Sequence, residues 1–192
     1  MGKIAIFGGS FDPVHKSHIK IAELAIQLFN LEKLIFVLAY TPPHKIQQYA
    51  KVNDRICMLK LAATSLQKSE ISLYEVKKQK VVYSYQTLDY FQGLYPSEEV
   101  NMLIGSDSLQ DLQNWKNVDY IIKRYKIIVA KRAGIKIGTS TKYLNNSVFI
   151  NNEIENISSE EIRRLIKGNY TSIISLVDKN VYNYIIQNKL YK

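Results

Sequence analysis

The chain has 192 residues, of which 46% are hydrophobic and 22% charged, an ordinary composition for a soluble globular protein. This length suits one domain, residues 1–192, with a full hydrophobic core. The net charge of +9 favours anionic partners such as nucleic acid, anionic lipid or phosphorylated metabolites, but the sequence has no block of five or six basic residues that would form a nucleic-acid-binding arm.

Short apolar runs alternate with longer segments of helical periodicity. In chain order the predicted elements are a strand at Lys3–Phe7, a helix at His15–Phe29, a strand at Leu34–Ala39, a helix at Asn53–Leu66, a strand at Ile71–Val76, a helix at Tyr83–Leu94, a strand at Val100–Ile104, a helix at Val118–Arg124, strands at Ile127–Ala130 and Val148–Ile150, and helices at Ser158–Lys167 and Lys179–Asn188. Several strands are apolar throughout, as in a parallel sheet buried on both faces. This alternation predicts right-handed βαβ units and a doubly wound, mainly parallel α/β sheet, which binds ligands beyond the carboxyl ends of its strands.

Helix ends are marked by residues that favour caps. Asp12-Pro13 is predicted to supply the N-cap and first position of the first helix, and Asn53 to cap the second. Ser158 and Glu161 form a capping-box pattern, and Gly168 is a C-cap signal.

The sequence also indicates the cellular compartment. Cys57 is the one cysteine, so no intrachain disulfide can form, which fits a reducing compartment. The first residues lack the long apolar core of a signal peptide, and no stretch approaches the roughly 20 apolar residues of a membrane span. We therefore expect a cytoplasmic protein without a membrane partner.

The segment GGSFDPVHKSH, residues 8–18, follows the first strand. It fits neither the NAD-binding pattern G-x-G-x-x-G nor the P-loop G-x-x-x-x-G-K-[ST], because its glycines are adjacent and none stands before Lys16. His15 and His18 share a helical face and could ligate zinc, but no Glu lies between them and His44 is the only other histidine. A metal site is therefore the less favoured alternative.

Nucleotide chemistry without a P-loop is the favoured interpretation of this segment. Gly8 and Gly9 let a phosphate approach the backbone closely, and a helix N-terminus, which attracts anions, follows. His15 and His18 could donate to phosphate oxygens and stabilise charge that develops at phosphorus. The alternative is that both histidines only cap or pack the helix.

The segment resembles the signature of the HxGH nucleotidylyltransferases, G-G-[ST]-F-D-P-x-H-x-G-H, except that Ser17 replaces the family's last glycine. The resemblance implies a Rossmann-like nucleotidylyltransferase fold and transfer of AMP or CMP to a phosphate-bearing acceptor. It implies that His15 and His18 are catalytic. The matching residues implied to contact ATP are Gly8, Gly9, Ser10 and Phe11.

A second family motif, I-S-S-[ST]-x-x-[RK], is similar to ISSEEIR, residues 157–163. The resemblance implies that Ile157, Ser158 and Ser159 bind the ATP phosphates and that Arg163 is catalytic by neutralising them. Glu160 replaces the usual Ser or Thr. A capped helix without a ligand would show the same serine and glutamate pattern.

The middle of the chain resembles one branch of this superfamily, the nicotinate-nucleotide adenylyltransferases. Thr41–Lys45 is similar to the branch's P-P-H-K loop, which implies that Lys45 meets the acceptor phosphate. SYQTL, residues 84–88, is similar to a second branch segment and implies substrate contacts from Tyr85 and Thr87.

Two further segments fit the branch. GSDSLQDLQNW, residues 105–115, implies that Gly105 and Asp107 approach the ribose of ATP and that Trp115 stacks on the pyridine ring. A core aromatic is the alternative for Trp115. AKRAG, residues 130–134, implies that Arg132 lies near the adenine or phosphates.

The function implied by the resemblance is adenylyl transfer from ATP, with Mg²⁺, to nicotinate mononucleotide, giving deamido-NAD and pyrophosphate. No protein metal site and no nucleic-acid partner are expected, and a homo-oligomer stays open. The alternatives are another acceptor (nicotinamide mononucleotide, phosphopantetheine or a phosphorylated polyol), or a non-catalytic nucleotide- or RNA-binding module.

Overall fold

The computed structural model describes residues 1–41, 48–132 and 143–192. The strands within these ranges are β1 (Lys3–Gly9), β2 (Lys33–Leu38), β3 (Ser69–Ser72), β4 (Glu99–Gly105), β5 (Lys126–Arg132) and β6 (Ser147–Ile154). They form one parallel sheet in the order β3-β2-β1-β4-β5-β6. The chain moves outward from β1 to β3, then returns to the centre and moves outward again from β4. The switch point therefore lies between β1 and β4.

The helices cover both faces of this sheet. Those described are α1 (Lys16–Leu28), α2 (Val52–Ala63), α3 (Tyr74–Lys78), α4 (Ser84–Leu94), α5 (Ser106–Asp111), α6 (Val118–Arg124), α7 (Ser159–Lys167), α8 (Ile173–Leu176) and α9 (Lys179–Gln187). Helices α1, α2, α7, α8 and α9 share one apolar cluster, and α4, α5 and α6 share the other. The predicted doubly wound α/β fold is confirmed.

The alternation along β1 explains why the strand is apolar throughout. Ala5 and Phe7 point to the α1 side of the sheet, whereas Ile4 and Ile6 point to the α4 side. Side chains of a strand alternate between its faces, and here both faces are covered. The central strand β1 therefore ends directly at residues 10–18, which we call the histidine segment.

The third predicted strand, Ile71–Val76, is wrong in its second half, because β3 ends at Ser72 and Tyr74–Lys78 is helical. The Ser72 hydroxyl oxygen accepts a hydrogen bond from the Tyr74 backbone N–H at 3.2 Å, a local contact that competes with the strand ladder. The Tyr74 ring then stacks on Tyr90 with 3.8 Å between ring centroids. Tertiary packing therefore overrides the strand propensity of this segment.

Two of the predicted N-caps are also wrong. Helix α1 begins at Lys16 with His15 as its N-cap, and α2 begins at Val52 after Lys51. Asp12 is instead buried, and its carboxylate accepts from the backbone N–H groups of Tyr49 and Ala50. The predictions for α7 are confirmed, since Ser158 is its N-cap and Gly168 its C-cap.

Smaller differences concern element lengths. Strand β6 extends beyond the predicted Val148–Ile150, α9 ends at Gln187, and the short helix α5 was not predicted. Among the described residues, no helix combines the length and the apolar composition that crossing a membrane requires.

Candidate active site

A cleft of about 840 Å³ opens at the carboxyl ends of β1 and β4. This is the switch point at which doubly wound sheets bind ligands. Its walls come from the end of β1, the start of α1, the end of β4 with α5, the turn before α6, and the start of α7. The cleft gathers most of the predicted site residues, namely Gly8, Gly9, Ser10, Phe11, His15, His18, Thr87, Gly105, Asp107, Trp115, Ser158, Ser159 and Arg163.

The two glycines at the end of β1 have different roles. A Cβ built on Gly8 would meet no protein atom within 4 Å, so the space beside it belongs to the open cleft. A Cβ on Gly9 would lie 2.9 Å from the Phe11 ring. Phe11 is buried at a positive φ of 47° and packs edge-on against His18 with 5.1 Å between ring centroids. Gly9 therefore lets Phe11 support the histidines, while Gly8 leaves room for a ligand.

His15 and His18 lie side by side at the start of α1. Their ring centroids are 3.7 Å apart, with 31° between the ring planes. The backbone N–H of His15 donates to Nδ1 of His18 at 3.2 Å. Because an accepting imidazole nitrogen carries no proton, the neutral His18 ring has its proton on Nε2. His18 is only partly buried, and it lines the cleft.

Helix α7 begins in the wall that adjoins Asp12 and Pro13. The Ser158 hydroxyl oxygen accepts from the Glu161 backbone N–H at 3.1 Å, and the Ser159 hydroxyl donates to the Pro13 carbonyl at 2.9 Å. Arg163 donates through Nη1 to the Asp12 carbonyl at 2.7 Å, and its guanidinium lies 4.0 Å from the centroid of the Tyr49 ring. These contacts tie α7 to the histidine segment across 146 and 151 positions of sequence.

Ser17 and Glu160, the two residues that differ from the family motifs, have different surroundings. Ser17 is buried, and its hydroxyl donates to the Glu155 carbonyl at 2.8 Å, on the α7 side of α1. It is not among the described residues that line the cleft. Glu160 is exposed and does line the cleft.

Beyond β4, Gly105 lies at the strand end and Asp107 in the first turn of α5. Trp115 and Lys116 follow in the turn before α6, and both line the cleft. The Lys116 ammonium lies 4.4 Å from the centroid of the Tyr83 ring, a cation–π contact. This end of the cleft therefore offers aromatic faces and a positive charge. Lys116 was not predicted, although a lysine directly after Trp115 was visible in the sequence.

Glu75 is a buried acid in the wall of the cleft that the sequence analysis missed. The Thr87 hydroxyl donates to its Oε1 at 2.7 Å. Burial raises the pKa of Glu75 to about 7, and the Thr87 hydrogen bond opposes that rise. Glu75 lies within the segment predicted as a strand, Ile71–Val76, and no motif in the sequence marked this acid as part of the site.

The remaining predicted residues fall elsewhere. Tyr85 is not among the described lining residues, and its ring packs near Tyr83 and Tyr120. Ile157 is buried in the core cluster of α1 and α7. Lys45 and the side chain of Arg132 lie outside the described residues.

Arg55 was also not predicted from the sequence. It lies beneath the histidine segment and bonds to backbone carbonyls there. Its fully buried guanidinium donates to the carbonyls of Ser10 at 3.0 Å and Ala39 at 2.8 Å, and to Gln48 Oε1 at 2.7 Å. It thereby joins the ends of β1 and β2. Among the described residues, no group of three or more His, Cys, Asp or Glu side chains could hold a metal ion.

Comparison with known proteins gives consistent results. A family model described as cytidylyltransferase-like matches residues 6–165. The probable nicotinate-nucleotide adenylyltransferase of Endomicrobium trichonymphae is 62% identical over 193 residues, and that of Clostridium tetani 35% over 201 residues, with 100% of each chain covered.

Solved structures show the same fold. The nicotinic acid mononucleotide adenylyltransferase of Plasmodium falciparum complexed with NaAD gives a TM-score of 0.84 at 22% identity, covering 100% of this chain and 98% of that one. The complex of the same protein with APC gives a TM-score of 0.83 at 21% identity, with the same coverage.

Proposed function

Because this chain belongs to the cytidylyltransferase-like family, we propose that it is a nicotinate-nucleotide adenylyltransferase, which transfers AMP from ATP to nicotinate mononucleotide. The observation that carries the proposal is the full-length relative at 62% identity that bears this name. The cleft at the switch point supports it, since that cleft joins the paired histidines to the start of α7.

The reaction needs no nucleophilic side chain. An oxygen of the 5′-phosphate of nicotinate mononucleotide attacks the α-phosphorus of ATP. A new P–O bond forms as the bond from the α-phosphorus to the bridging oxygen breaks, and pyrophosphate leaves with the bond's electron pair. The products are deamido-NAD and pyrophosphate. The protein then contributes position and charge stabilisation rather than a covalent intermediate.

His18 is suited to the α-phosphate. Its Nδ1 accepts from the His15 backbone N–H, so in the neutral ring Nε2 carries the proton that would donate to a phosphate oxygen. A donor fixed in place before the reaction stabilises charge that develops on a phosphate oxygen without reorganisation cost. His15 stacks beside it and would set the orientation of the ring.

The start of α7 is suited to the leaving pyrophosphate. The N-terminal N–H groups of a helix attract anions, and Ser158 and Ser159 lie at that end. Arg163 uses Nη1 on the Asp12 carbonyl, and the other N–H groups of its guanidinium would face phosphate oxygens. Gly8 leaves the space in which the triphosphate would approach β1.

The far end of the cleft is suited to the pyridine ring. Trp115 provides an aromatic face there, and Thr87 lies in the adjoining wall. Lys116 adds a positive charge, which complements the carboxylate of nicotinate better than the neutral amide of nicotinamide. Tyr85, Lys45 and Arg132 stay proposed ligand contacts on the strength of the sequence resemblance, as do Gly105 and Asp107 at the ribose.

Mg²⁺ enters the proposal only as the ion that accompanies ATP, where it would neutralise phosphate charge. We assign no protein ligands to it and no step of the reaction.

One assay tests the proposal and its alternatives together. The protein is mixed with ATP, Mg²⁺ and one acceptor at a time: nicotinate mononucleotide, nicotinamide mononucleotide, phosphopantetheine or a phosphorylated polyol. We expect pyrophosphate release to be fastest with nicotinate mononucleotide. Preference for another acceptor would refute the assigned substrate, and salt-sensitive RNA binding without pyrophosphate release would favour a binding module.

A further inference from the structure

We infer that Tyr191, the penultimate residue, is a positioning residue of the active site: its hydroxyl acts through Asp12 to place His15 and His18. The inference rests on the proposed function of the histidine pair. It assigns the last residues of the chain to the reaction, although Tyr191 is 179 positions away from Asp12 in sequence.

The contact itself is short and enclosed. The Tyr191 hydroxyl donates to Asp12 Oδ1 at 2.7 Å, and both residues are buried, with 7% and 3% of their surfaces exposed. The same hydroxyl lies 3.9 Å from Met58 Sδ on α2, so the tyrosine also packs beneath the helix that carries Arg55. A hydrogen bond to a buried carboxylate is among the stronger neutral-to-charged contacts in proteins.

Asp12 collects contacts from three separate parts of the chain. Oδ1 also accepts from the Ala50 backbone N–H at 3.2 Å, and Oδ2 accepts from the Tyr49 backbone N–H at 2.9 Å. Its carbonyl accepts from Arg163 on α7. The carboxyl-terminal segment, the connection before α2 and helix α7 therefore meet at one residue, three positions before His15.

The backbone at the carboxyl terminus is held in an unusual conformation. Tyr191 has a φ of 64° and Lys189 a φ of 51°, in the left-handed region that residues other than Gly, Asn and Asp rarely adopt. Such conformations cost free energy and persist where surrounding contacts fix them. At Tyr191 the contact that fixes this conformation is the buried hydrogen bond to Asp12, which connects the segment to the site.

The charge state of Tyr191 suits a donor. Burial raises the pKa of the Tyr191 hydroxyl, and the neighbouring Asp12 carboxylate raises it further, while Arg163 and Arg55 oppose these effects. The hydroxyl therefore stays protonated at physiological pH. Replacing it by hydrogen leaves a lone pair of the buried carboxylate without its donor, and the segment that precedes His15 is then free to shift.

Tyr191→Phe tests the hydroxyl while it keeps the ring. Tyr184→Phe is the matched control, because the Tyr184 hydroxyl on α9 also donates to a carboxylate, Asp54 Oδ1 at 3.0 Å, on α2 and not on the histidine segment. We expect Tyr191→Phe to lower kcat roughly tenfold with the KM for ATP nearly unchanged, since a small misplacement of catalytic groups slows turnover strongly. Tyr184→Phe should keep kcat within about twofold.

A spectroscopic measurement separates positioning from general destabilisation. The chain has three histidines, so the imidazole NMR signals can be followed individually. In folded Tyr191→Phe the signals of His15 and His18 should shift, and in Tyr184→Phe they should match the wild type. Wild-type kcat together with unshifted signals in Tyr191→Phe would overturn the inference. If the wild type turned over no acceptor, the proposed function would fail, while the imidazole spectra would still decide the role of Tyr191.

Discussion

The backbone N–H of His15 holds Nδ1 of His18 at 3.2 Å, while the two imidazole centroids lie 3.7 Å apart. One histidine thus fixes both the tautomer and the ring orientation of the other. In the neutral His18 ring the proton is therefore on Nε2. The two nitrogens of the His18 ring therefore have different proposed roles: Nδ1 accepts from His15 and fixes the ring, and Nε2–H donates to phosphate. Substitutions can test each role separately.

His18→Ala should lower kcat at least ~100-fold, which corresponds to about 2.7 kcal/mol of transition-state stabilisation. His18→Asn should be as inactive, because its amide oxygen can accept from the His15 N–H but offers no donor where Nε2 lies. Steady-state kinetics measure both, with Lys20→Ala on the exposed face of α1 as the control. Near-normal turnover in either histidine variant would refute the role of His18.

Arg163→Ala should raise the KM for ATP and lower kcat, together a loss of roughly 100-fold in kcat/KM, because the cleft loses a cation that also anchors Asp12. The adjacent Arg164 is exposed and pairs with Glu161 at 3.2 Å, so Arg164→Ala is a matched control with an expected effect under about twofold. Equal losses in the two variants would argue against a specific role for Arg163.

Ser17→Gly restores the residue that the family motif calls for, but it should not improve the enzyme. The hydroxyl donates to the Glu155 carbonyl in a buried position, and glycine also weakens the first turn of α1. We expect a loss of about 1–2 kcal/mol in the free energy of unfolding, measured in urea. The KM for ATP should change less than about threefold, and a larger decrease would show that Ser17 obstructs ATP.

Glu75 should make stability depend on pH. Burial raises its pKa to about 7 in the folded protein, so between its ordinary value of 4.5 and 7 the folded state binds the proton more tightly than the unfolded state. The free energy of unfolding therefore falls as pH rises through this window.

Glu75→Gln keeps an acceptor for Thr87 and removes the charge. The free energy of unfolding of the wild type should therefore fall between pH 5 and pH 8 by roughly 1–3 kcal/mol more than that of Glu75→Gln. Urea unfolding at both pH values measures this. Glu70→Gln, on the edge strand β3 and paired with Lys33, is the control and should show no such difference. Parallel pH profiles for the wild type and Glu75→Gln would contradict the assignment.

Local signals in the sequence predicted the fold class, the strand end at Gly8 and Gly9, the histidine pair and the Ser158 cap, because each depends on periodicity or on neighbours within one turn. The family resemblance carried by those motifs is confirmed by the match over residues 6–165. The failed predictions depend on distant contacts. Asp12 has the chemistry of an N-cap but bonds to Tyr49, Ala50 and Tyr191.

The site residues that the sequence did not predict were missed for one physical reason, which is that their partners are distant in sequence. Arg55 and Glu75 are buried, and their hydrogen-bond partners come from other elements of the chain. Tyr191 was missed because its partner, Asp12, lies 179 positions away in the sequence. No pattern within one element reports these pairings, and the third strand was misplaced for a similar reason, since packing of Tyr74 on Tyr90 decides its end.

The most direct measurement follows the α-phosphate of ATP. With ATP labelled at the α-phosphorus, Mg²⁺ and nicotinate mononucleotide, the label should appear in deamido-NAD, with one pyrophosphate released per product molecule and no label retained on the protein. The His18→Ala protein should stay folded and transfer the label at least ~100-fold more slowly. Label that appears on the protein, or only in the product of another acceptor such as phosphopantetheine, would contradict direct adenylyl transfer to nicotinate mononucleotide.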